Sequence, residues 1–460
     1  MTVVISGSRL PEPCSIHGIA SDWSSDKDRV DQQQSSGPAC AAPLPRYRAC
    51  GARARLRRCR PVAAGRCRVL YHAWVIGLVH LVTIGWITFS ILGAIYIVGP
   101  LALRAELPSR RLDYVAYACA LIGLIGMVGH FWIQQYSGMA WSAATVATGV
   151  VYMTGRIIAS VHRANIQSGA KLHIVLACVN FWLASSMGLA IAVDKVVHFL
   201  PGFVLSNVFA HAHLAALGWV TMMVVGVGYR LLPMTFPSKM STGPSIYVSA
   251  ILLELGVLGL FTALLLRSPW ALLFGLTIAG GLAVFAAHVV WMGRQPVSKP
   301  VGVTGIQFGL LHAASAAGSL VVATAIGLTL LAVATSPRTL HAAAAYGVLG
   351  LVGFLAQMIV AMEARLLPMV TWFWAYGSSG YRVPPPSPHT MRDRSLQALV
   401  FTGWTLGIPA LALGMAWESP RLVGFGAWTL FIGVAIGTLD NALVIAHAFR
   451  ARRLSPQRAV

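Results

Sequence analysis

Between residues 73 and 448 the chain is a succession of apolar stretches, each long enough to cross a bilayer and most separated by short loops. A helix needs roughly 20 apolar residues to span the ~30 Å hydrocarbon core. Eleven stretches meet that length, at about 73–98, 112–134, 139–162, 172–193, 205–232, 245–266, 270–292, 305–333, 340–367, 396–416 and 421–448. The chain is 57% hydrophobic and 10% charged, with a mean hydropathy of +0.71. A water-soluble domain cannot bury that much apolar surface. The expected class is all-α: a polytopic membrane helix bundle of about 11 transmembrane helices. No soluble domain fits after residue 73, so any chemistry must lie inside the bundle or at its mouths.

The net charge of +21 raises the question of a nucleic-acid partner. Its placement argues otherwise, because the positive residues sit in loops beside helix ends, where they report topology. Loops after odd-numbered spans carry Arg104, Arg110 and Arg111, then Arg163 and Lys171, then Arg230 and Lys239, then Arg294 and Lys299, then Arg365, Arg382, Arg392 and Arg394. Loops after even-numbered spans carry only Lys195, Arg267 and Arg338. The positive-inside rule then puts the odd loops and the C-terminus in the cytoplasm and the start of the first span outside. The expected location is a bacterial-type inner (plasma) membrane, with lipid as a partner and no nucleic acid.

Residues 1–70 differ from the rest. They are rich in Pro, Ser and Arg and hold Cys14, Cys40, Cys50, Cys59 and Cys67. They contain no apolar stretch of the secretory-signal type, and the cysteine spacings do not suit zinc. The expectation is a disordered basic extension, or a start codon assigned too far upstream. Residues 71–450 form the bundle, and 451–460 are expected to be a cytoplasmic tail.

An internal repeat underlies the bundle. "HLVTIGWITFSILGAIYIVGP" (80–100) aligns without a gap on "HLAALGWVTMMVVGVGYRLLP" (213–233). The alignment pairs His80 with His213, Gly85 with Gly218, Trp86 with Trp219, Thr88 with Thr221 and Pro100 with Pro233. "GLVGFLAQMIVAMEARLLPM" (350–369) is a third, fainter copy, with Val348 in the place of His213 and Tyr346 in that of His211. The preceding helices also match, with His173 over His312 and Gly188 over Gly327. The chain therefore reads as a threefold repeat of four-helix units, the last short by one span. Spans one, five and nine open the units and run in one direction.

His80, His211 and His213 lie about equally deep in spans one and five. At 100° per residue His211 and His213 point about 200° apart, so they serve two sites on opposite faces of one helix. A low-spin haem needs two axial imidazoles from opposite directions. His80 and His213, equivalent by repeat, are expected to hold one haem iron, and His211 a second. His130, near the outer end of its span, is a weaker candidate metal ligand. The other use of a membrane histidine is a hydrogen bond across helices. That is the expected role of His173, His288, His312 and His447, while His72, His198 and His341 flank spans. Asn180, Glu254, Gln357, Glu363 and Asp440 are the other polar groups inside spans, and Cys119 and Cys178 read as small packing residues.

"HAHLAALGWVTMMVVGVGYRLLP" (211–233) resembles the histidine-bearing helix of the catalytic subunit (subunit I) of haem-copper oxidases, nearest the cbb-type group and the nitric oxide reductases. Its H-x-H-x3-LGW pattern there carries one low-spin and one high-spin haem ligand. Carried over by position, the resemblance implies that His213 and His80 hold low-spin haem b and His211 a high-spin haem. It also implies threefold pseudo-symmetric helix arcs, a cytochrome c or quinol donor and small respiratory subunits. The sequence departs from that family in having no adjacent His-His pair, so copper is not expected. The motif-bearing helix also opens the middle unit rather than the last. The functional expectation is one or two haem b groups used for electron transfer or for handling oxygen or nitric oxide, with enzymatic activity (terminal oxidase or nitric oxide reductase-like) left open. The alternatives are a haem or metal transporter, a sensor, or a cofactor-free structural subunit on the same fold.

Overall fold

The computed structural model describes residues 72–235, 237–297, 306–377 and 387–454, so the expectation for residues 1–70 lies outside the described residues. Among the described residues eleven helices are long and apolar enough to cross a membrane. They are α1 (Ala73–Ala102), α2 (Arg111–Trp132), α3 (Tyr136–Arg163), α4 (Ser168–Val197), α5 (Val204–Thr235) and α6 (Ser245–Leu265). The rest are α7 (Ala271–Gly293), α8 (Phe308–Ala332), α9 (Pro337–Tyr376), α10 (Arg394–Ala416) and α11 (Pro420–Arg452). The chain is an integral membrane protein of the all-α polytopic class. The helices satisfy their own backbone groups, as lipid requires.

Every apolar stretch legible in the sequence became one helix. The largest departure is α9, which runs 40 residues, about 60 Å at 1.5 Å per residue. Such a length exceeds the ~30 Å hydrocarbon core, so α9 tilts or projects beyond it. Its start is fixed by a capping box between Ser336 and Thr339, with Pro337 at the first helical position, where a missing N–H costs nothing. The helix of α11 carries on to Leu454, so the expected tail begins as helix, and residues 455–460 lie outside the described residues.

Tight reversals separate several helices. Arg104, Gln134, His198, Arg267 and Glu418 take positive φ values of 47–57°, each just past a helix end, where a left-handed residue turns the chain.

The repeat is written into the backbone. Each unit-opening helix contains one eight-residue π-helical segment: Leu81–Thr88 in α1, Leu214–Thr221 in α5 and Leu349–Ala356 in α9. Each segment starts immediately after the aligned position His80, His213 or Val348. Each helix also holds an internal proline at the aligned place, Pro100, Pro233 and Pro368. Pi turns are rare, and they concentrate at functional sites.

The three helices touch one another. The Trp219 indole N–H of α5 donates to Thr88 Oγ1 of α1 at 3.1 Å. The Trp86 indole N–H of α1 donates to Glu363 Oε1 of α9 at 3.0 Å. His213 of α5 meets Tyr346 of α9. Around this centre the core buries Ile87, Leu92, Leu124, Trp219, Tyr229 and Trp404. Large apolar side chains such as Tyr114, Ile122, Trp141, Val321 and Phe431 stay exposed on the outside, as a lipid-facing surface should.

Candidate functional site

His80 and His211 face each other. Their ring centres are 6.3 Å apart and their planes lie within 17°. His80 comes from the α-helical turn just before the π segment of α1. Its Nδ1 lies 2.8 Å from the Ile76 carbonyl one turn back. His211 Nδ1 lies 3.0 Å from the Ala184 carbonyl of α4. A carbonyl oxygen only accepts, so in both neutral rings Nδ1 carries the proton and Nε2 keeps its lone pair. No protein hydrogen bond engages either Nε2 among the described residues. Phe131 of α2 lies against His80 with ring centres 5.4 Å apart.

The arrangement is half of a quasi-symmetric pair. One unit further on, His213 and Tyr346 have ring centres 5.8 Å apart and planes again within 17°. His213 Nδ1 also bonds the carbonyl one turn back, Phe209 at 2.7 Å. Here the partner is a phenol, and Tyr346 OH bonds His213 Nε2 directly at 3.0 Å. The aligned third position pairs no polar groups, since the sequence supplies Val348 and Leu78.

Glycines make room for the rings. A Cβ on Gly188 of α4 would sit 2.9 Å from His211 Cε1, and one on Gly327 of α8 would sit 3.1 Å from Tyr346 Cε2. These two glycines are the ones the repeat aligns, so each unit clears the same seat.

The sequence placed His211 and His213 on opposite faces of one helix, and their neighbours are indeed on different helices. The pairing differs from the expectation: the ring brought to His80 is His211, not His213. His213 is instead bonded at both ring nitrogens. His130 does not join the pair, its Nδ1 lying 3.2 Å from Ser142 Oγ.

Five other histidines serve as polar links. His173 bonds Gly169 and Ser249. His288 bonds Tyr229 and Ser245. His312 bonds Gln357 at 3.4 Å, His447 bonds Tyr376 at 3.4 Å, and His341 pairs with Glu418 at 2.6 Å. Among the described residues no group of three or more His, Cys, Asp or Glu side chains could hold a metal ion.

A second polar centre lies toward the end of the bundle that carries the loops after odd spans. A cavity of about 340 Å³ is lined by Trp86, His312, Glu363, Arg392, Trp404 and Asp440 among others. Glu363 accepts from Trp86, from Ser90 Oγ at 3.3 Å and from Asn441 Nδ2 at 3.5 Å. Arg392 pairs with the buried Asp440 and donates to the Glu363 carbonyl at 3.0 Å and to Asn441 Oδ1 at 2.8 Å. Sequence reasoning named Glu363 and Asp440 but missed their link, because Arg392 read as a loop charge. Elsewhere Asn180 Nδ2 donates to Glu254 Oε2 at 2.7 Å. Compared with known proteins, the chain matches no family model and no curated protein.

Proposed function

We propose that this integral membrane protein binds one haem b between His80 and His211 and uses it to carry electrons. The observation that carries the reading is two imidazoles with ring centres 6.3 Å apart and nearly parallel planes, each held through Nδ1 and neither with an Nε2 hydrogen bond among the described residues. Backbone carbonyls fix the tautomer and the ring orientation, as they do for metal-ligating histidines. Two metal–imidazole bonds of about 2.0 Å each, plus roughly 1 Å from each nitrogen to its ring centre, make a separation of about 6 Å. The observed 6.3 Å fits. Two protein ligands without a third suit a metal that brings its own equatorial ligands, as porphyrin iron does.

Held by both His80 and His211, haem would supply single-electron exchange and would leave no position for a gas. The electron-transfer reading is therefore preferred to oxygen or nitric oxide handling. In this reading His211, expected to hold a second iron, joins His80, and His213, expected to be the partner of His80, keeps its hydrogen bond with the Tyr346 hydroxyl instead. The likeness of residues 211–233 to the haem-copper oxidase helix supports haem as the ligand but implies His213 as the partner of His80, so the reading departs from it in the second ligand. The donor would be of the cytochrome c or quinol class.

Protein produced in a haem-replete membrane should show a reduced-minus-oxidised b-type difference band with one haem per chain and no shift on adding carbon monoxide. A purified, folded protein without a haem band would overturn the assignment. A carbon monoxide shift would return the gas-handling reading.

A further inference from the structure

A groove runs down the outside of the bundle between the 103–110 loop, α3 and α4. Its volume is about 860 Å³. Arg104 and Arg110 of the loop and Arg163 at the end of α3 line its charged end, which we call the mouth, and none of the three takes part in an ion pair among the described residues. Arg156 lies deeper, paired with Asp113 and donating to the Pro108 carbonyl at 2.9 Å. Glu106 is the one carboxylate of the lining, so the mouth remains strongly positive.

Below the arginines the lining changes character. Val151, Gly155, Ala159 and Arg163 recur every fourth residue on one face of α3, and Trp182 of α4 lies in the lower part of the same groove. Val151 is 40% exposed, which in a spanning helix means exposed to lipid. From Arg163 to Val151 the groove descends about 18 Å along the helix. That is about the depth of one leaflet's hydrocarbon layer, half of the ~30 Å core. The small residues Gly155 and Ala159 line the groove between the arginines and Val151.

We propose that this groove binds an anionic phospholipid, with its phosphate held at Arg104, Arg110 and Arg163 and an acyl chain laid along Val151, Gly155 and Trp182. Free phosphate shares the headgroup chemistry. The apolar run into the bilayer decides for the lipid, since an ion would use only the mouth. Basic pockets at the ends of membrane helices favour anionic headgroups for the same electrostatic reason.

The test uses full-length protein in nanodiscs or mild detergent, with bound lipid counted by native mass spectrometry after exchange into phosphatidylglycerol or phosphatidylcholine. Wild type should retain one phosphatidylglycerol that phosphatidylcholine does not replace. Arg104→Gln and Arg163→Gln, which leave the Arg156–Asp113 pair intact, should each weaken retention about fivefold. Ala159→Leu should block the acyl path and lower retention while leaving the arginines in place. Millimolar inorganic phosphate should not displace the lipid. Equal retention of the two lipids, or unchanged retention in all three variants, would overturn the proposal. Displacement by phosphate together with indifference to Ala159→Leu would reduce the groove to an ion site. Thermal unfolding of each variant shows that it is folded.

Discussion

The His80 and His211 rings lie 6.3 Å apart with planes within 17°, and this geometry recurs one unit on between His213 and Tyr346 at 5.8 Å and 17°. Two helix faces built from one repeated sequence thus present two versions of one seat. In the first, both occupants are imidazoles with no hydrogen bond between them among the described residues. In the second, a phenol closes the gap with a hydrogen bond. The difference between a candidate ligand site and a structural contact comes down to the residue aligned at positions 211 and 346.

Tyr346→His should rebuild the first seat in the second place. With His213 and a new imidazole opposed, the haem content should rise from one towards two per chain. Pyridine haemochrome quantification against protein concentration checks this, and an unchanged ratio in a folded variant would argue that the paired geometry alone does not define the site.

Gly188→Val should displace the His211 ring, because even a Cβ would sit 2.9 Å from Cε1. The expected result is a large loss of haem with the bundle still folded, since valine is tolerated in an apolar helix. Gly327→Val should press on Tyr346 instead and leave haem content unchanged. Haem-to-protein ratios of the two purified variants distinguish these outcomes.

Arg392→Gln should be severely destabilising. Asp440 is 2% exposed, and removing the guanidinium leaves a buried carboxylate unpaired, a change that typically costs about 3–5 kcal/mol. The double variant Arg392→Gln with Asp440→Asn should recover much of that loss. Thermal unfolding in detergent, and yield from membranes, would show the difference, and an undisturbed single variant would mean that the pair is solvated.

Glu363→Ala removes the acceptor of the Trp86 indole N–H and so unties α1 from α9. A fully buried donor without a partner costs about 1–3 kcal/mol, and the partly buried Trp86 N–H should cost toward the low end of that. Glu363→Gln keeps an acceptor oxygen and should cost less. The ordering of the two unfolding temperatures is the check.

Much of this was legible in the sequence. Eleven apolar stretches gave eleven helices among the described residues, because an apolar segment of that length satisfies its own backbone in lipid as a helix. The alignment of 80–100 with 213–233 foretold a shared backbone, though not its π turns, for which no residue type is a marker. The opposite headings of His211 and His213 followed from helical geometry alone. Which of them meets His80 did not. Three similar units can be ordered around a centre in two senses, and the linear chain is silent on which. One sense pairs His80 with His211 and His213 with Tyr346, the other would pair His80 with Tyr346 and His213 with Leu78, and the helices adopt the first. Tyr346 was visible as the counterpart of His211 but not as the partner of His213, for the same reason. The Arg392–Asp440 link was hidden because it joins a loop residue to a helix 48 positions away.

The most direct measurement is the reduced-minus-oxidised spectrum of three single variants made side by side. His80→Ala and His211→Ala should each abolish the low-spin b-type band, and His213→Ala should keep it. If His213→Ala loses the band while His211→Ala retains it, the iron is not held between positions 80 and 211, and the pairing on which the account rests is wrong.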